Sequence, residues 1–246
     1  MRQFAFSLVL WAAGLASWAQ NTDPSKAEIV TSDIDLFWKA YDASLPGYSA
    51  DVLQREYIDK GSEGVKGFLW KRIEDGSNLS KTITRYPRYY ASIRESTARI
   101  AGMETQIRES LAKLREYYPK AVFPPVYFVI GALSSGGTTS KAGLIIGAEM
   151  YGKTAATPMD ELNSWLKTVI KPVEEIPHVV AHELIHFQQN YDGGTLLQAC
   201  LKEGSADFLA ELISGKHINQ HVHDFANPKE KELWGRIPGT DEQKRL

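Results

Sequence analysis

The stretch "PHVVAHELIHFQQNYD" (residues 177–192) decides how this chain reads. Placed on a helix, where each residue turns about 100°, Ile176, Val180, Leu184, Phe187 and Tyr191 fall in one apolar stripe suited to a core. His182 and His186 lie one turn apart on the far side, and Glu183 projects between them and the stripe. A helix meant only for solvent would carry Lys and Glu there, so the polar trio reads as facing a cleft. Histidines four residues apart can aim two neutral imidazole nitrogens at one ion. The pattern H-E-x-x-H is a known use of that spacing for zinc, with the glutamate as a built-in base.

A catalytic zinc site takes three protein ligands and keeps one position for water. Two residues can complete the set. Asp192 sits where a metzincin continuation would place a ligand, but that arrangement needs a glycine at a position held here by Gln189. Glu203 lies in "LLQACLKEGSADFLAELISG" (residues 196–215), on a helix face shared with Ala199, Ala206, Asp207 and Ala210. Small neighbours let that helix approach closely, and the short turn "NYDGGT" makes the two helices antiparallel partners. Glu203 then arrives beside the histidines, with Asp207 placed to orient one of them. This is the gluzincin arrangement. It predicts zinc on His182, His186 and Glu203, one ion per chain, and Glu183 as the base for metal-activated water.

The surroundings predict an α+β fold, mostly helical, with a small antiparallel or mixed sheet just before the H-E-x-x-H helix. Helical patterns cover 33–44, 50–60, 63–74 and a long run over 88–118, followed by 160–170, 173–191 and 195–214. Short β-branched and aromatic runs at 126–130 and 144–148 read as strands. "SSGGTTS" (residues 134–140) between them reads as a flexible loop, and it lacks the ending of a phosphate loop.

The chain has 246 residues, 43% hydrophobic and 24% charged, with 28 basic against 30 acidic side chains. That near-balance gives no footprint for nucleic acid or anionic lipid. "MRQFAFSLVLWAAGLASWAQ" (residues 1–20) has a basic start, an apolar run and small residues near Ala19, as a secretory signal does. The expected organisation is a signal over 1–19, a linker over 20–30, a domain over 31–234 and a polar tail over 235–246. Within the domain, 31–120 reads as helical and 121–234 as the catalytic part. The mature protein is expected in the periplasm or outside the cell, with no stable membrane span. Its partner would be a peptide or protein substrate. Cys200 is the single cysteine, so no intramolecular disulfide forms, and no cysteine follows the apolar run to take a lipid. Oligomeric state is not encoded in any pattern found.

"VAHELIHFQQ" followed by "KEGSADFLAELISG", and preceded by "PPVYFVIG", "SGGTTS" and "GLIIGAEM", resembles bacterial predicted zinc-dependent proteases, whose domain is one of unknown function. The resemblance spans about 34–234. It implies a gluzincin-like metallopeptidase with His182, His186 and Glu203 as ligands and Glu183 as base. At "KELWGRIPGTDEQKRL" (residues 231–246) the chain departs from the family, whose members continue with helical, aromatic sequence, so the end reads as shortened. Further candidates are Glu149, which loosely resembles a glutamate that grips a substrate's amino terminus, and His217, His221 and His223. One of these histidines could stabilise an oxyanion; the three could also be structural or form a second metal site. The segment 143–150 would serve as an edge strand for substrate, and Cys200 would be buried as a small hydrophobe. A rival reading is a cell-envelope accessory protein that binds metal and performs no hydrolysis.

Overall fold

The computed structural model describes residues 21–190, 194–217 and 219–237. The expected signal, Tyr191, Asp192 and residues 238–246 of the tail lie outside them. The fold is α+β, mostly helical, around one small sheet.

Strand β1 (Ile29–Val30) leads into α1 (Ser32–Ala43), whose Ile34, Phe37, Trp38 and Tyr41 are buried as their spacing requires. Its N-cap is Thr31, whose side chain makes no bond to the helix end. Asp33 turns inward and accepts from the backbone N–H and hydroxyl of Ser62. The helices α2 (Ala50–Leu53), α3 (Glu63–Gly67) and α4 (Gly76–Arg85) follow. Asp75 caps α4 by accepting from Asn78 N–H at 2.8 Å. Only Leu79 and Ile83 among the side chains of α4 face the core, too thin a pattern to be noticed.

The long helix expected over 88–118 is broken into α5 (Pro87–Ser92), α6 (Arg94–Ala98), a 3-10 turn at Arg99–Met103 and α7 (Glu104–Tyr117). Side-chain oxygens cause part of the break. Ser92 donates to Tyr89 O, and Thr97 to Ile93 O and Arg94 O, bonds that compete with and bend a helix. Trp38 Nε1 donates to the same Thr97 hydroxyl at 3.0 Å, tying the kink to α1.

The sheet holds β2 (Val126–Val129), β3 (Gly137–Thr139) and β4 (Leu144–Gly147) beside β1, in the order β1-β2-β4-β3. The first three in that order are parallel, with Val126 opposite Leu144 and Val129 opposite Gly147; β3 is antiparallel to β4. The sheet is therefore mixed. Both β2 and β4 are buried at every residue, which is why they read as continuous apolar runs. Two expectations change here. The 134–140 loop contains the edge strand β3, and the 143–150 segment is an inner strand, so it offers no edge to a substrate. After β4 come α8 (Ser164–Val169), α9 (Ile176–Gln188), α10 (Leu196–Ser214), α11 (Gln220–Ala226) and α12 (Glu230–Gly235). The sheet packs on α1 and α3 through β2, and on α9 through β3 and β4.

The core is aromatic between α1 and the sheet. Phe37 meets Trp38 and Tyr57 edge-to-face at 4.9 and 5.2 Å, the geometry favoured by ring quadrupoles. Buried hydroxyls find backbone partners. Tyr90 donates to Gly131 O and Tyr89 to Glu149 O. Tyr57 does double duty, donating to Ile130 O and accepting from Ile130 N–H, both at 2.9 Å. Tyr57→Phe should leave that buried donor and acceptor unpaired and lower the unfolding free energy by roughly 2–4 kcal/mol, measured by urea denaturation. A loss below the error of that measurement would contradict this role.

Candidate metal centre

Pro177 in the first turn of α9 costs no intrahelical bond there. At the other end, Gln188 exchanges two bonds with the backbone of Val122, fixing the helix against the segment that enters β2. A capping box of Thr195 and Gln198 starts α10, and Gly215, at φ 76°, ends it in the left-handed conformation. The two helices run antiparallel: Gln189 meets Lys202 and Ser205, His186 meets Glu203, His182 meets Asp207, and Glu175 meets Lys216.

That register brings three ligand atoms together. His182 Nε2 and His186 Nε2 are 2.9 Å apart. Glu203 Oε2 lies 3.2 Å from the second and 3.7 Å from the first. Tetrahedral zinc with bonds of about 2.0–2.2 Å places its ligand atoms roughly 3.3 Å apart, so the triangle suits such an ion.

The outer nitrogens decide what the inner ones carry. His186 Nδ1 is 2.7 Å from Gln189 Oε1, whose amide nitrogen donates to Lys202 O and Ser205 Oγ. The amide orientation is thus set, and Nδ1 holds the proton. His182 Nδ1 is 2.8 Å from Asp207 Oδ1, at an angle short of a straight hydrogen bond. Asn219 donates to both oxygens of Asp207 at 2.9 Å. When both rings are neutral and protonated at Nδ1, their Nε2 lone pairs face each other, and a cation there would take both. Burial alone would lower the His182 pKa, but the contact with Asp207 and the charges of Glu183, Asp207 and Glu203 outweigh it and hold it above the ordinary value. Asp207 is itself held low: burial opposes this, but bonds to His182 and Asn219 prevail.

Glu183 lies against β3: a Cβ on Gly137 would meet Glu183 Oε1 at 2.5 Å, while the charges of His182, His186 and Glu203 act on the carboxyl. Burial raises the Glu183 carboxyl above its usual range, against the opposing pull of the two histidines. Two groups near it escaped sequence reading. Arg72 donates to Thr138 Oγ1 at 2.9 Å from a bend in which Lys71 and Glu74 adopt positive φ, and its charge acts on Glu183. Tyr151 brings its hydroxyl against Gly136, where a Cβ would lie 2.5 Å away. Burial, then Glu183, drives its pKa up. No local spacing links residues 72, 151 and 183; only the paired glycines of the 134–140 segment hinted at something pressed close.

The remaining candidates fall elsewhere. Glu149 is fully buried and accepts from Gly131 N–H at 2.8 Å and Leu133 N–H at 3.2 Å, so it grips the protein's own backbone rather than a substrate's amino terminus. His217 and His223 both contact Glu211, away from the first triangle, while His221 is exposed on α11. Cys200 is exposed, not buried. A cleft of about 1100 Å³ between α7, α9 and α10 is lined by His178, Ser214 and Lys216; His182, Glu183 and His186 do not line it.

The family model that matches the chain is that of the gliding motility protein GldB, over residues 21–233. The chain belongs to this family. No curated protein and no solved structure matches it. It is an exported, cell-envelope protein, and no described helix is long and apolar enough to cross a membrane. This family corrects the resemblance to zinc-dependent proteases and with it the metallopeptidase reading, the hydrolase activity and the role of Glu183 as a catalytic base. The physical reason is that H-E-x-x-H spacing specifies where an ion's ligands stand, not what reaction follows. In this chain Glu183 is also committed to packing beneath β3.

Two measurements probe this neighbourhood. Burial raises Glu149 from 4.5 to about 7. A carboxyl raised by folding stabilises fully below its unfolded pKa, and that contribution disappears as pH climbs through the folded value. Stability should fall between about pH 4.5 and 7, by on the order of 3 kcal/mol. The fall should be absent in Glu149→Gln, and a variant with the same pH slope as the parent would refute the assignment. Gly137→Ala should destabilise by about 1–3 kcal/mol through the clash with Glu183. The cost should shrink in a Glu183→Ala background; an unchanged cost would place the clash elsewhere.

Proposed function

We propose that this chain is a non-hydrolytic component of a gliding-motility apparatus, working on the outer side of the cytoplasmic membrane after loss of residues 1–19. In this reading His182, His186 and Glu203 hold a zinc ion that locks α9 to α10. The observation that carries the metal assignment is the convergence of His182 Nε2, His186 Nε2 and Glu203 Oε2 within 3.7 Å of one another, on rings whose outer nitrogens face Asp207 and Gln189. Bound there, zinc would supply a rigid link between two helices. Asp207 and Gln189 orient the rings, and Ser205 and Lys202 O orient Gln189.

The family supports the motility role. The balanced charge supports a protein partner over nucleic acid. Glu183, Arg72 and Tyr151 fit a supporting role, since they brace β3 against α9.

Elemental analysis of the purified mature chain tests the site. A His182→Ala/His186→Ala variant should hold about one zinc fewer than the parent, and cells relying on it should lose colony spreading. Equal zinc content in the two proteins would refute the metal centre. Normal spreading in cells lacking the chain altogether would refute the motility role.

A further inference from the structure

A second polar cluster lies one turn beyond Asp207. Glu211 Oε1 on α10 is 2.7 Å from His217 Nδ1 and 3.0 Å from His223 Nε2. The ligand atoms of the three residues lie within 4.8 Å of one another. We propose that Glu211, His217 and His223 form a second site for a divalent metal of the zinc type, and that this ion clips α11 onto α10.

The chemistry selects the ion class. Two imidazoles and one carboxylate suit zinc and its first-row neighbours, whereas calcium and magnesium take oxygen ligands. The geometry also suits an ion: both rings converge on a single carboxylate oxygen, and their planes cross at 73° with centroids 5.5 Å apart. The Glu211 side chain is 12% exposed, while those of His217 and His223 are 59% and 38% exposed. The carboxylate thus forms the floor and the histidines the rim, open to solvent for an exchangeable water ligand.

The packing of α11 gives an independent reason. It has seven residues and none is buried, too short to hold as an isolated helix. Its Val222 and Phe225 are exposed, so they do not anchor it. What fastens this part of the chain to α10 is polar: His217 and His223 on Glu211, and Asn219 on Asp207. Three ligands from the end of α10, the connection after it and α11 would convert these contacts into one joint.

The site is separate from that of His182, His186 and Glu203, and a variant that destroys the first site isolates it. Equilibrium dialysis of the mature chain against zinc, then elemental analysis, should find about two ions in the parent and about one in His182→Ala/His186→Ala. Adding His223→Ala should remove the remaining ion. In the His182→Ala/His186→Ala background, zinc should also slow proteolysis between α10 and α11, and His223→Ala should abolish that protection. If the His182→Ala/His186→Ala chain is folded by circular dichroism yet retains no zinc, the cluster is a set of hydrogen bonds and the proposal fails. Retention that His217→Ala and His223→Ala leave unchanged overturns it equally. Failure of the first centre alone has a different signature: the parent and His182→Ala/His186→Ala would hold equal zinc, which His223→Ala removes.

Discussion

Two imidazole nitrogens held 2.9 Å apart set the terms for the second half of the chain. Keeping them there takes Asp207 on one ring, Gln189 on the other, and two further layers: Asn219 behind Asp207, then Lys202 and Ser205 behind Gln189. All of these except Gln189 come from α10 or the chain just after it. The antiparallel register of α9 and α10 is thus fixed by polar contacts as much as by Ala206 and Ala210, the small residues that allow the close approach. The other side of α9 is held by ordinary means. Ile176, Val180 and Leu184 are buried, and Gln188 ties the helix end to Val122.

The helix pair was legible because its information is local. Four-residue spacing puts His182 and His186 on one face whatever the rest of the chain does, and a short turn forces Glu203 back beside them. The two inner strands were legible as unbroken apolar runs. What was not legible depended on distant contacts. The 88–118 helix breaks where Ser92 and Thr97 spend their hydroxyls on carbonyls, one of them also serving Trp38 fifty-nine residues earlier. The strand β3 is three residues long and has no apolar side chain, so its two threonines gave no strand signal; it is a strand because β4 lies beside it. Arg72 and Tyr151 come near Glu183 from 111 and 32 residues earlier in the chain.

The same locality explains why the spacing suggested a catalytic base that the family does not bear out. A glutamate next to a ligand histidine looks like a base because in a metallopeptidase an open cleft lies beyond it. Here the edge strand lies beside it, close enough that a methyl group on Gly137 would meet Glu183 Oε1 at 2.5 Å. Ligand spacing is written in consecutive residues; the presence or absence of a cleft is written by the whole fold.

Helix α10 buries Ala206, Ala210 and Ile213 and carries Glu203, Asp207 and Glu211 in a row that meets histidines, while Leu201, Phe208 and Leu212 form a stripe toward solvent, with Phe208 65% exposed. Replacing a residue of that stripe removes no core contact, so folding places little restraint on which side chain stands there. The polar row is restrained by its contacts with His182, His186, His217 and His223. Two faces of one helix are therefore free to vary to different degrees: a change in the outer stripe alters what the surface presents, and a change in the polar row disturbs the histidines beside it.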